Sequence, residues 1–316
     1  MLLVFGFGVS GVSGVVAYFL PAIGAALNIT GHPSTGTSIH AQATPSATAA
    51  PAPNQPFNVL LLGSDNDTKF QPNHVLTQTM ILVRVNPQAH TVAMLSIPRD
   101  LWVQLSTGGT AKIDAAYSYG GAAAAVKTVE NNFGVPITYW VWIGLGGLVD
   151  LVNQLPGGGV NIVAQMPIMD DEYPYDLTGT NPYLQTRIAI LPGPQRLGGV
   201  DALEYVRSRH GDILSDIARS QKQQQLLLDI KSAAKTLGLA DVPSIASSLG
   251  NSLKTDMQLT QVASLLPLAK AFSSGNITQV IMLSQDYSSV TESDGEQALA
   301  PNWTAINALV AQYFPA

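Results

Sequence analysis

The run FNVLLLG (residues 57–63) and, a little further on, TMILVRVNPQAHTVAMLSIPRD (residues 79–100) decide the fold. The first is a continuous apolar stretch bounded by Pro56 and ending on Gly63, the composition of a strand buried on both faces. The second reads as two strands joined by a short turn at Asn86-Pro87, an antiparallel hairpin. Outward from this nucleus, TYWVWI (138–143), GVNIVA (159–164) and TQVIMLS (278–284) are further strand candidates. Helices are expected at 114–133, 145–155, 198–205, 215–237, 259–273 and 300–313, the first with Asp114 as a cap and Gly134 as a stop. Strands alternating with helices, with hairpins mixed in, predict an α/β protein: a three-layer α/β/α sandwich around a mixed central sheet.

The chain has 316 residues, 46% hydrophobic and only 11% charged, so it can build a substantial core and is not disordered as a whole. Its net charge of −6, without any block of basic residues, argues against nucleic acid as a partner. The absence of cysteine excludes disulfides, thiolate metal sites and a Cys nucleophile. No GxxxxGK[ST], GxSxG or HExxH motif occurs, and the five histidines are scattered. Residues 1–27 carry no charged side chain. As a helix they would be roughly 40 Å long, enough to cross a bilayer core of about 30 Å. A single membrane anchor is therefore expected there, ahead of a cleaved signal peptide or a buried apolar helix. Residues 28–56 are uncharged and rich in Ser, Thr, Pro and Ala; too little apolar surface is available to offset ordering, so they read as a flexible tether. The globular domain then spans 57–316. No Lys or Arg precedes Lys69, so flanking charge does not set the orientation in a membrane.

In a chain this poor in charge, the basic groups stand out. Arg207 and Arg209 in YVRSRH are two apart, which in an extended segment points both to one face. In the next segment, Asp216, Arg219 and Gln223 recur at spacings of three and four, one face of a helix, with Lys222 on a neighbouring face. Arg99 follows an apolar strand through Pro98, and strand ends are where α/β sheets place ligands. Each could be an ordinary surface pair, Arg99 with Asp100, Arg219 with Asp216 or Arg209 with Asp212. Gathered on one pocket, guanidinium forks would instead suit a pyrophosphate. Asp65, just beyond the first strand, is either a loop cap or a carboxylate for a hard divalent cation.

Taken together, LLLGSD, TQTMILVRVNP, VAMLSIPRDLWV, KIDAAYSYGG, TVENNFGVPITYWVWI, GGVDALEYVRSRH and DIARSQKQQQ resemble the LytR-CpsA-Psr (LCP) family of bacterial envelope proteins over roughly residues 57–240, and more weakly from NSLKTDMQL onward. The resemblance implies a domain on the extracytoplasmic side of the cell membrane and an α/β/α fold whose hydrophobic tunnel holds a polyprenyl chain. It implies transfer of a glycopolymer, such as a teichoic acid, from an undecaprenyl- or decaprenyl-pyrophosphate carrier to peptidoglycan, with Mg2+. Carried over by motif, Arg99, Arg207, Arg209 and Arg219 are the expected catalytic cations; Lys222, Gln223 and Lys112 the expected substrate-binding groups; Asp65 and Gln78 the expected metal ligands. One departure stands out. The family's R(S/T)DTM is LTQTM here, so Leu76 replaces the usual Arg and Gln78 the usual Asp. That change keeps open a non-catalytic polyprenyl-phosphate binding or regulatory protein, and a polyprenyl-pyrophosphate phosphohydrolase.

Overall fold

The computed structural model describes residues 55–64, 75–174, 185–208, 215–234, 248–257, 274–292 and 295–315. The expected anchor at 1–27, almost all of the expected tether, the expected helix at 259–273, and the site candidates Asp65 and Arg209 lie outside the described residues. No helix among the described residues is long and apolar enough to cross a membrane.

The central sheet begins with β1 (Phe57–Ser64), followed by the hairpin of β2 (Thr77–Asn86) and β3 (Thr91–Ile97). A small hairpin, β4 (Trp102–Gln104) and β5 (Thr110–Lys112), leads through one 3-10 turn into α1 (Ala116–Phe133). Next come β6 (Tyr139–Ile143), α2 (Leu145–Asn153) and β7 (Val160–Ala164). An arm of β8 (Ile168–Pro174) and β9 (Gln185–Ile190) precedes β10 (Gly193–Leu197), α3 (Gly199–Arg207) and α4 (Ser215–Ala233). The remainder is β11 (Leu253–Thr255), β12 (Ile277–Ile281), β13 (Tyr287–Thr291), β14 (Gln297–Pro301) and α5 (Trp303–Tyr313). Among the described residues the main sheet runs β11-β6-β1-β2-β3-β12. β6, β1, β3 and β12 are mutually parallel, while β2 and β11 run against them.

β1 lies inside the sheet, which is why its apolar run is unbroken. Val59 and Leu61 face one core with Val206, Leu226 and Ile230 of α3 and α4. Leu60 and Leu62 face the other with Ala125 and Val129 of α1 and Ile306 of α5. Successive side chains of a strand point to opposite faces, and here a helical layer on each side of the sheet buries both. The expected three-layer sandwich with a mixed sheet is what forms. Each such Leu or Val contributes about 1.5–3 kcal/mol of burial.

Three local expectations are corrected. Asp114 is no helix cap: it sits inside the 3-10 turn, 3% exposed, and no side chain caps α1, which starts at Ala116. That helix is also kinked at Gly120-Gly121, where Gly121 adopts φ 65. Arg207 is not in an extended segment but is the last residue of α3. The apolar positions of GVDALEYVR bury Ala202, Leu203, Tyr205 and Val206 together, a helical period that outweighs the alternation of VRSR. Finally, residues 297–301 form β14 rather than the start of the last helix, which begins after Asn302.

Candidate functional site

The carboxyl ends of β1 and β6 open into a cavity of about 340 Å³. Each wall comes from a different element. Ser64 ends β1, Gln78 and Thr79 begin β2, and Arg99 follows β3. α2 supplies Leu145 and Leu148, the β8 strand supplies Asp170, Glu172 and Tyr173, α3 ends in Arg207, and α4 presents Arg219 and Gln223. A second hollow of about 80 Å³, lined by Leu61, Ile81, Val141, Leu226 and Leu227 among others, shares Gly63, Thr79, Ile143, Leu148, Val206 and Gln223 with the first. A cationic mouth thus adjoins a greasy hollow wedged between the sheet and α4.

Of the expected site residues, the fold brings Arg99, Arg207, Arg219, Gln223 and Gln78 to this one cavity. Arg219 is only 8% exposed. Arg99 donates from Nε to Asp100 Oδ2 at 3.3 Å and from Nη1 to Gln78 Oε1, so the Asp100 pairing read from sequence forms without removing Arg99 from the cavity. Lys222 is behind the wall: its Nζ donates to Ser208 O at 3.2 Å and lies 5.9 Å from the Tyr205 ring centroid, fixing the end of α3. Lys112 is not at the cavity; its Nζ bridges Asp100 Oδ1 and Glu296 Oε1, each at 3.1 Å.

Three residues of the site were not legible in the sequence. Tyr173, 4% exposed, places its ring 5.7 Å from the Arg207 guanidinium carbon, and its hydroxyl accepts from Arg207 Nη1 at 3.4 Å. Burial pushes its phenol above the usual range, with Arg207 opposing. Asp170, 2% exposed, accepts from Ser208 Oγ at 2.8 Å and so ties the β8 strand to the end of α3. Ser64 Oγ is 1% exposed, lines the cavity and has no hydrogen-bond partner among the described residues. A buried hydroxyl without a partner costs about 1–3 kcal/mol, and a ligand oxygen in the cavity would relieve it.

No group of three or more acidic or His side chains that could hold a metal occurs among the described residues. Gln78 Oε1 accepts from the Arg99 guanidinium. Behind Arg99, the buried Asp114 has its carboxyl raised to about 7, chiefly by loss of solvent, with Arg99 and Lys112 acting against that. The site as built attracts an anion at its mouth and an apolar tail behind it.

The family model described as "LytR_cpsA_psr family" matches residues 25–312. The chain is 33% identical over 240 residues to the polyisoprenyl-teichoic acid--peptidoglycan teichoic acid transferase TagV of Bacillus subtilis (strain 168), covering 73% of this chain and 58% of that relative. It is 32% identical over 206 residues to the same-named transferase TagU of Halalkalibacterium halodurans, covering 65% and 62%. The chain thus spans about three fifths of the length of these relatives. The crystal structure of B. subtilis TagV superposes with a TM-score of 0.65 at 26% identity, over 82% of this chain and 97% of that one. TagT bound to LIIa-WTA gives 0.66 at 25% identity, over 86% and 98%.

Proposed function

The chain belongs to the LytR_cpsA_psr family, and we propose that it transfers a glycopolymer from a polyprenyl-pyrophosphate carrier, undecaprenyl or decaprenyl, to peptidoglycan at the outer side of a cell membrane. The observation that carries this reading is the meeting of Arg99, Arg207 and Arg219 at a cavity that adjoins an apolar hollow. An isoprenoid diphosphate has that same division into charged head and greasy tail. Phosphoryl transfer needs positioning and neutralisation of charge more than a covalent relay, and forked guanidinium groups supply both. Arg207 is oriented by Tyr173, Arg99 by Asp100 and Gln78, and Ser64 Oγ offers a hydrogen bond to a phosphate oxygen. In this reading Asp65 and Gln78 would hold Mg2+, which would supply further neutralisation of the diphosphate, and Gln78 also meets Arg99. Arg209 and the anchor at 1–27 belong to the same proposal.

The test is to incubate the full chain in vesicles with a polyprenyl-pyrophosphate glycan, Mg2+ and soluble peptidoglycan fragments. Glycan linked to the fragment supports transfer, and release of phosphate to water alone supports a phosphohydrolase. Lipid retained without turnover supports a binding or regulatory protein, the second reading, which the uncharged Leu76 and Gln78 favour. Arg207→Ala combined with Arg219→Ala should weaken donor binding on the order of 100-fold, since a hydrogen bond to a charged group contributes about 1.5–3 kcal/mol. Unchanged affinity would remove the pocket assignment.

A further inference from the structure

The parallel strands β6, β1, β3 and β12 all end along one edge of the sheet, and β2 begins between β1 and β3. The large cavity takes only the β6–β1 half of that edge. On the other half, at the ends of β3 and β12, lies a separate hollow of about 20 Å³. Its own walls include Ser96, Asp100, Ser220 of α4 and Tyr287 of β13. Gln78, Thr79, Arg99, Arg219 and Gln223 line both spaces. They lie along the boundary that the two spaces share, where Arg99 Nη1 donates to Gln78 Oε1.

The two spaces differ in what they can hold. The large one adjoins the apolar hollow and suits a diphosphate with its chain. The small one has room for about one water-sized group. It therefore takes a hydroxyl, not a ring or a tail. Among apolar neighbours such as Ile97 and Met282, its polar groups suit one hydroxyl of an uncharged molecule: Asp100 is neutralised by Arg99 and Lys112, and Ser96 Oγ, which accepts from Gln224 Nε2 at 2.8 Å, keeps its own proton to donate.

Displacement at phosphorus places the attacking and leaving oxygens in line on opposite sides, with the remaining oxygens around the equator. Guanidinium groups along the border of two adjoining spaces can meet the equatorial oxygens of a phosphoryl group that sits at that border, with an oxygen on either side. Resting on the function proposed above, we infer that the hollow at the ends of β3 and β12 is the port through which the acceptor's hydroxyl attacks, while the donor diphosphate occupies the β1–β6 side. The acceptor oxygen bonds to the glycan-bearing phosphorus. The bond from that phosphorus to the bridging oxygen breaks, its electron pair leaving with polyprenyl monophosphate, and the hydroxyl proton passes to water. Arg99 and Arg219 meet the equatorial oxygens, where negative charge must be stabilised.

Ser220 tests the port because it lines the small hollow and not the large cavity. The full chain in vesicles is given a polyprenyl-pyrophosphate glycan and a soluble peptidoglycan fragment, with melting curves checking that each variant folds. Ser220→Leu should leave donor affinity within about twofold while raising the acceptor KM or lowering transfer at least tenfold. Ser220→Ala should stay within about threefold of wild type on both. If the wild type only hydrolyses the donor, water uses the same port and Ser220→Leu should depress phosphate release equally. Loss of donor affinity in parallel with transfer would assign the hollow to the donor and overturn the inference. So would unchanged turnover in Ser220→Leu, or a wild type that binds the donor and never turns it over. A wild type that fails to bind the donor would instead sink the proposed function itself.

Discussion

Arg207 shows how a single cation is made useful. At the end of α3 its guanidinium would be free to sweep solvent, but the Tyr173 ring and hydroxyl hold it from the β8 strand. A desolvated cation–π contact is worth up to about 2 kcal/mol, more than an exposed one, and Tyr173 is 4% exposed. Tyr173→Phe keeps the ring and should cost less than about threefold in pyrophosphate affinity, whereas Tyr173→Leu should cost roughly tenfold. Calorimetric titration with inorganic pyrophosphate reads both, and a Phe variant as weak as the Leu variant would shift the credit to the hydroxyl. Arg99 was legible from its strand-end position and Arg219 from its helical spacing because those are local properties, whereas the extended spacing read for Arg207 gave way to a helix end. Tyr173 was not legible, since its partner is 34 residues away and MDDEYP shows neither a helical nor a strand period. The place of Lys112 away from the cavity was hidden for the same reason: nothing near it in the chain announces Glu296.

At the scale of elements, the position of Arg207 depends on how closely α3 approaches α2. Gly199 makes that approach possible: a Cβ there would lie 2.2 Å from Val149 O and 2.9 Å from Asn153 Oδ1, and the Gly199 N–H already donates to Asn153 Oδ1 at 2.8 Å. Backbone atoms cannot step aside, so Gly199→Ala must push the two helices apart, at about 1–3 kcal/mol. Since the same helix ends in Arg207, weaker pyrophosphate binding should accompany the lower melting temperature. Gly146, on the exposed face of α2, has nothing within 4 Å of such a Cβ. Gly146→Ala should therefore be neutral or stabilise by up to about 1 kcal/mol through helix propensity, and a loss there would refute the steric account. Long elements with one period, such as β1 to β3 and α5, were readable from sequence. α4 was placed, but its role was not: Gln224, 0% exposed, donates to Ser96 Oγ and Val280 O and joins the helix to β3 and β12, a function that composition alone assigns to solvent. The hairpins β4–β5, β8–β9 and β13–β14 are short and partly polar, and pairing rather than pattern defines them.

For the molecule as a whole, the few charges in a chain of net charge −6 make its stability respond to pH in an unusual sense. Among the described residues five carboxyls are raised, each chiefly by burial: Asp114 to about 7, Asp229 and Asp256 to about 6, and Asp150 and Glu204 in the same direction. Asp256 accepts from Trp140 N at 2.9 Å and from its own backbone N–H, both of which favour ionisation, yet burial prevails. A carboxyl whose folded pKa exceeds its unfolded value binds more protons when folded. Stability therefore falls as pH rises from about 4, and the loss is complete once pH passes the folded pKa, near 7 for Asp114. This is opposite to a salt-bridged Asp, whose contribution disappears on acidification. Thermal unfolding should accordingly give a higher Tm at pH 5.5 than at pH 8. Asp114→Asn, which cannot ionise, should narrow that difference and raise Tm at pH 8, each unit of pKa displacement being worth about 1.4 kcal/mol. An Asn variant with the wild-type pH slope would clear Asp114 of the effect. The position of that residue gives the measurement a second meaning: its N–H donates to Arg99 O at 3.2 Å, and the carboxyl lies close enough for Arg99 to oppose its rise. Ionisation of Asp114 and an anion in the cavity compete for the same guanidinium field, so pyrophosphate affinity should weaken between pH 6 and pH 8 in the wild type, and by less in Asp114→Asn.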